Sequence, residues 1–183
     1  MKQIILRPGD VAVALQLAIA PDKTLAIAAD ATGRSVGEIH NGVRRLVAAG
    51  LVDGAARRVF REPLLRFIRW GVPHAFPVTL GGPAIGIPTG WDAPGARGEP
   101  LVNAADGEGS GRVLYVWPTA NGEGRGIALQ PLYPITSDVA KRNPQLWLAL
   151  AMVDAIRLGG AREGDAAARK LAAVVHGSND AGT

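Results

Sequence analysis

The sequence predicts an α+β protein: a helical N-terminal part, then a Gly/Pro-rich, β-containing region, then two C-terminal helices. Three observations predict it. Apolar residues recur at helical spacing through most of the first 75 positions and again from Pro144 to Val175. Residues 72–135 change character, with Gly and Pro crowded between short apolar runs, as in short strands joined by long connections. The 183-residue chain is 48% apolar and 20% charged, enough apolar material to bury a core. The division expected is residues 1–75 as one unit and residues 76–183 as a second.

In chain order, residues 2–6 form a short strand or an extended lead-in. Residues 8–20 form a helix that is apolar nearly all round, so it belongs at the centre of a domain. Pro8 near its first position and Asp10 in its first turn mark the start, and Pro21-Asp22 the end. Residues 24–31 give a short second helix, Thr32-Gly33-Arg34 a tight turn, and Ser35–Ala49 a third helix closed by Gly50. Leu51-Val52, the turn Asp53-Gly54 and the return Arg57–Phe60 make a short β-hairpin. A further helix runs from Glu62 to Trp70, with Pro63 in its first turn. Strands are expected at Ala84–Ile87, Val113–Trp117 and Gly126–Leu132, and a mobile loop over Asp92–Gly111. Asn143 caps a helix from Pro144 to Leu158, Gly159-Gly160 interrupt, and a last helix covers Arg162–Val175.

The net charge of +4 is unevenly spread. Residues 1–75 hold eleven Lys/Arg against six Asp/Glu, whereas residues 76–183 hold nine against ten. Eight arginines lie between Arg34 and Arg69, against Glu38, Asp53 and Glu62, an excess that suits a polyanionic partner. The chain has no Cys, which removes disulfides, thiolate metal sites and Cys nucleophiles and fits a reducing compartment. His40, His74 and His176 are too scattered for metal-ligand spacing. Lys2 and Arg7 before the apolar run Val11–Ala20 imitate a secretory leader, but Pro8, Gly9 and Asp10 intervene and read as a helix start; a cytoplasmic protein is expected. No stretch is long enough to span a bilayer.

The informative stretch is Thr24–Val52. Ser35 and Glu38 form an S-x-x-E capping box, so a helix begins at Ser35. Val36, Ile39, Val43 and Leu46 make one buried stripe. The opposite face carries Gly37, Asn41, Arg44, Arg45 and Ala48, with His40 at its side: polar, basic and low in bulk, fit to approach another surface closely. A short helix, a turn containing Gly33 and an amphipathic basic helix together make a helix-turn-helix arrangement.

This stretch resembles the winged helix-turn-helix of MarR-like bacterial transcription regulators. The resemblance rests on Ala29, Gly33 in the turn, Ser35, Ile39 and Val43, and on the closing run Arg45–Val52, and it covers less than a third of the chain. Two positions depart from the pattern: Arg34 stands where an apolar residue is usual, and Gly42 where a larger apolar residue is usual, lowering helix propensity. The resemblance implies sequence-specific binding of duplex DNA by a homodimer. The third helix would enter the major groove with Val36, Gly37, His40 and Asn41 near base edges or thymine methyls. Arg44 and Arg45 would reach phosphates, as would Ser35 at the helix start. The hairpin, over residues 53–60, would bring Arg57 and Arg58 to flanking backbone or minor groove.

Two other classes compete with this reading. For an enzyme, Gly107–Gly111 lacks the Lys-Ser/Thr of a phosphate-binding loop, His74 has no nucleophile motif beside it, and no paired carboxylates stand out. Neither catalysis, a cofactor nor a metal is expected. The alternative is a winged-helix protein-interaction module, for example part of a toxin–antitoxin or other two-protein system. Its support is Trp70, Trp91, Trp117 and Trp147 with the runs LYVWP and LQPLYP, which either line a groove or fill a core. The apolar helix Pro144–Leu158 packs either internally or on a twin subunit.

Overall fold

The structure, a computed structural model, describes residues 4–21, 24–96 and 114–177. It is an α+β fold. Helix α1 (Pro8–Ile19) is buried from Asp10 to Ala18, as an all-round apolar helix must be. It packs on α2 (Leu25–Thr32), on α3 (Val36–Ala48), and on two helices from the far end of the chain, α7 (Pro144–Leu158) and α8 (Ala161–His176). One continuous apolar core joins residues of both halves, so packing crosses position 75 without a break.

The N-terminal elements end where the chemistry requires. The Thr24 hydroxyl caps α2 and Gly33, at φ 69°, closes it in the left-handed region. Past α3, Gly50 at φ 70° lets the Leu51 amide bond back to the Leu46 carbonyl at 2.9 Å. The hairpin that follows is minimal. Val52 and Val59 form a single antiparallel bridge, and the Asp53 carboxylate accepts from the Ala55 and Ala56 amides at 2.8 and 3.1 Å.

The helix expected from Glu62 to Trp70 starts at Arg61 and runs on to Ala75. It comprises α4 (Arg61–Arg66), one π-helical turn (Phe67–Gly71) and α5 (Val72–Ala75). Pro73 has no N–H for a helical bond, and the Phe67 ring lies where a side chain on Gly71 would stand: a Cβ there would meet Phe67 Cδ2 at 2.6 Å. Both features favour widening the turn rather than ending the helix.

Strands β1 (Leu80–Thr89), β2 (Tyr115–Pro118) and β3 (Gly124–Leu129) fall on the three expected runs. Long β1 pairs antiparallel with β3 through its first part and with β2 through its last, and β2 meets β3 in a short parallel register, so the small sheet closes on itself. Gly86 is where these backbones approach most closely, and a side chain there would strike the Trp117 backbone. Most of the expected loop Asp92–Gly111 lies outside the described residues. A short helix that the sequence did not announce, α6 (Ser137–Arg142), is capped by the Thr136 hydroxyl.

Two polar clusters, a buried one at Asp154 and a half-buried one at Asn143, tie the layers together. Asp154 on α7 accepts from Thr89 Oγ1 at 2.8 Å, Trp117 Nε1 at 2.6 Å and Arg157 at 2.6 Å, joining sheet to helix. Asn143 caps α7 and donates to Gln16 Oε1 of α1 at 2.7 Å and to the Ala31 carbonyl at 3.2 Å. Trp117 and Tyr133 are buried and Trp147 donates to the Pro88 carbonyl at 2.9 Å, so these aromatics fill the core; Trp70 alone is largely exposed, at 67%. Helix α7 packs internally, buried at Leu146 and from Ala149 to Ile156.

Candidate nucleic-acid interface

The turn that aims α3 is held from outside the N-terminal third. The Tyr133 hydroxyl donates to the Thr32 carbonyl, Val139 Cγ2 stands 3.1 Å from where a Cβ on Gly33 would be, and the Arg34 guanidinium lies 4.3 Å from the centre of the Tyr133 ring. Arg34, directly after the turn glycine, thereby covers an aromatic from the other half of the chain. No local pattern in the sequence pairs Tyr133 with this turn.

At Ser35 the capping box forms as expected, with Glu38 N–H donating to Ser35 Oγ at 3.3 Å and Ser35 N–H to Glu38 Oε2 at 3.0 Å. The Ser35 amide and hydroxyl hold the Glu38 carboxyl below the usual carboxylate range. Both Ser35 groups are therefore engaged within the fold.

Along α3, Ile39, Val43 and Leu46 are buried. Val36, placed by spacing in the same stripe, is 49% exposed. Val36, Gly37, His40, Asn41 and Arg44 form an exposed ridge. Arg45 does not join it. Its Nε and Nη2 donate to both Asp10 oxygens, each at 2.7 Å, a two-pronged pair that raises the guanidinium pKa. Asp10 is buried, and its Oδ2 also accepts the Arg7 amide at 2.8 Å. Gly42 permits this closeness: a Cβ there would stand 3.3 Å from both Asp10 Oδ1 and Val13 Cγ2. Gly42 thus lies at a close seam between α1 and α3.

The hairpin stands beside the same ridge. Arg57 has φ 52°, and Arg57 and Arg58 are both exposed. The Ala56 and Ala55 amides depress the Asp53 carboxyl, with Arg58 adding a smaller attraction. Between α3 and the hairpin lies an open cleft of about 500 Å³, lined by His40, Arg44, Val47 and Ala48 from α3, Gly54 and Arg57 from the hairpin, and Leu25 from α2.

The eight arginines between positions 34 and 69 thus divide. Arg34 pairs with Glu38 at 3.4 Å, Arg45 with Asp10, Arg61 with the Ala18 carbonyl at 3.2 Å, and Arg69 with Asp165 at 2.5 Å. Arg44, Arg57, Arg58 and Arg66 are exposed, and among the described residues none of them forms a hydrogen bond or close ion pair, although Arg58 weakly attracts the Asp53 carboxyl. Two of those four, Arg44 and Arg57, line the cleft.

His74 is exposed and His176 lies 3.3 Å from Glu62, and among the described residues no group of three His, Asp or Glu is arranged to hold a metal. No described helix is long and apolar enough to cross a membrane. No family model, no curated protein and no solved structure matches this chain.

Proposed function

We propose that α1–α3 and the hairpin form a MarR-like winged helix-turn-helix that binds duplex DNA. The protein acts as a cytoplasmic, homodimeric transcription regulator. Helix α3 enters the major groove with Gly37, His40 and Asn41 foremost, and the hairpin rests Arg57 and Arg58 on flanking backbone. The observation that carries this reading is the coincidence of an exposed, low-bulk ridge with arginines left unpaired at its border, while their neighbours are committed to the fold. Free guanidinium groups around one helix supply the charge that phosphates require. Arg45, engaged by Asp10, serves to orient α3 rather than to reach phosphate. Residues 76–183 brace the turn and supply dimerisation or effector response.

The test is fluorescence anisotropy with the protein's own upstream DNA against random duplex. The reading expects preference for the upstream fragment, lost in Asn41→Ala. Equal affinity for both fragments in the wild type would remove sequence-specific regulation.

A second reading, docking of a partner protein on the same face, is favoured by the exposed apolar residues Ile27, Val36 and Val47, at 46%, 49% and 37%. It gains if Arg44→Ala with Arg57→Ala leaves function intact while Val47→Asp abolishes it.

A further inference from the structure

A second, polar pocket of about 200 Å³ lies on the other flank of α3, between that helix and the start of α1. Arg7, Gly9, Asp10, Arg34, Glu38, Asn41 and Arg45 line it. Within it Arg45 is neutralised by Asp10, and Glu38 offsets Arg34 only through an exposed contact of 3.4 Å. Arg7 is exposed at the mouth of the pocket. With three arginines against Asp10 and Glu38, the pocket carries a surplus of positive charge.

The walls are built so that Arg34 stays there. Its guanidinium is stacked on Tyr133 and packs so closely on α1 that a Cβ on Gly9 would lie 2.7 Å from Nη2. Its Nε is buried without a partner. Asn41 lies on the exposed ridge as well as in this pocket, whereas His40 and Arg44 face the cleft on the hairpin side. The ridge of α3 thus has a cationic border on each side: Arg44 and Arg57 on one, Arg7 and Arg34 on the other.

We propose that this pocket binds a phosphate group, supplied by the DNA strand opposite the one met by the hairpin. The chemistry is that of a single oxyanion held by two guanidinium groups, those of Arg7 and Arg34. The proposal rests on the DNA-binding reading for the source of the phosphate, although the pocket itself would also admit a free phosphate. Two borders on either side of one helix match the two phosphate backbones that wall a groove.

The test uses the full chain and two variants. Arg7→Ala removes an exposed side chain, and Gly9→Ala pushes Arg34 aside while favouring the helix. Anisotropy with random duplex over a salt series is expected to give, for each variant, a slope of log affinity against log salt shallower by about one. The preference for upstream over random DNA should stay unchanged. A wild type that binds with a salt-dependent slope, together with an Arg7→Ala slope equal to it, overturns the pocket and leaves the DNA reading standing. If the wild type binds no DNA, the DNA reading fails and titration with inorganic phosphate decides the pocket. Amide shifts at Gly9 and Asn41 that vanish in Arg7→Ala support a free-phosphate site, and their absence overturns it.

Discussion

Asp10 performs two tasks with one carboxylate. It satisfies the Arg7 amide at the start of α1 and takes both prongs of Arg45 from α3, thirty-five positions away. Removing it strands a partly buried guanidinium and a helix-start amide together. Asp10→Ala should therefore cost about 2 kcal/mol in urea denaturation, between the values for surface and fully buried pairs; a loss below about 0.5 kcal/mol would mean the pair is solvated in practice. Asp53 acts more locally, through the two amides of the hairpin turn. Its pKa is depressed, so its contribution is complete above the pKa of an unfolded aspartate and is lost as pH falls through the lowered folded value. Carbon-detected carboxyl titration should give Asp53 a midpoint below the ordinary aspartate range, and an ordinary midpoint would show the turn unformed in solution. The sequence announced Ser35 and Glu38 because a capping box is a local pattern. It could not announce that Arg45 turns inward, since the partner that turns it is remote in the chain and looked like a mere first-turn acid.

At the level of elements, the seam between α1 and α3 depends on one small residue. Gly42 is unfavourable in a helix taken alone, yet it lets α3 lie close enough for Arg45 to grasp Asp10. Gly42→Leu should lower stability by about 2–3 kcal/mol through overpacking, despite the better helix former, as read from the urea midpoint. Unchanged or raised stability would show that the helices are free to separate. Helix positions were legible from periodicity and caps: Pro144–Leu158 falls where the apolar run and Asn143 put it. The π-helical turn was not, because Pro73 and Gly71 read as a stop unless the Phe67 ring is known to fill the space. Helix α6 was missed because six residues are too few for a periodic signal. The strands were legible in place but not in pairing, since long β1 is shared by two partners whose registers depend on contacts distant in sequence.

For the whole molecule, the interlock between halves matters most. Helix α1 is buried all round, and α7 and α8 cover part of it. Tyr133, Val139 and Asn143 bear on the end of α2 and the turn that follows it. A chain ending at residue 75 would expose that side of α1 to water. Such a fragment should lack a cooperative thermal transition by circular dichroism, and a sharp one would restore residues 1–75 as an autonomous unit. The same interlock offers a route by which an event in the second half reaches α3, through the turn that Tyr133 holds. The exposed ridge, the hairpin and the basic excess were visible in the sequence. The division of the arginines into committed and free was visible only in the fold.

The central claim is that the free arginines around α3 meet DNA phosphates. Its most direct test is anisotropy of the wild type and the Arg44→Ala, Arg57→Ala double variant on one labelled duplex, from low to physiological salt. The account predicts wild-type affinity that falls steeply with salt and a variant that binds more weakly with a slope shallower by about two. Wild-type protein that fails to bind at the lowest salt, or a variant that binds identically, would contradict it.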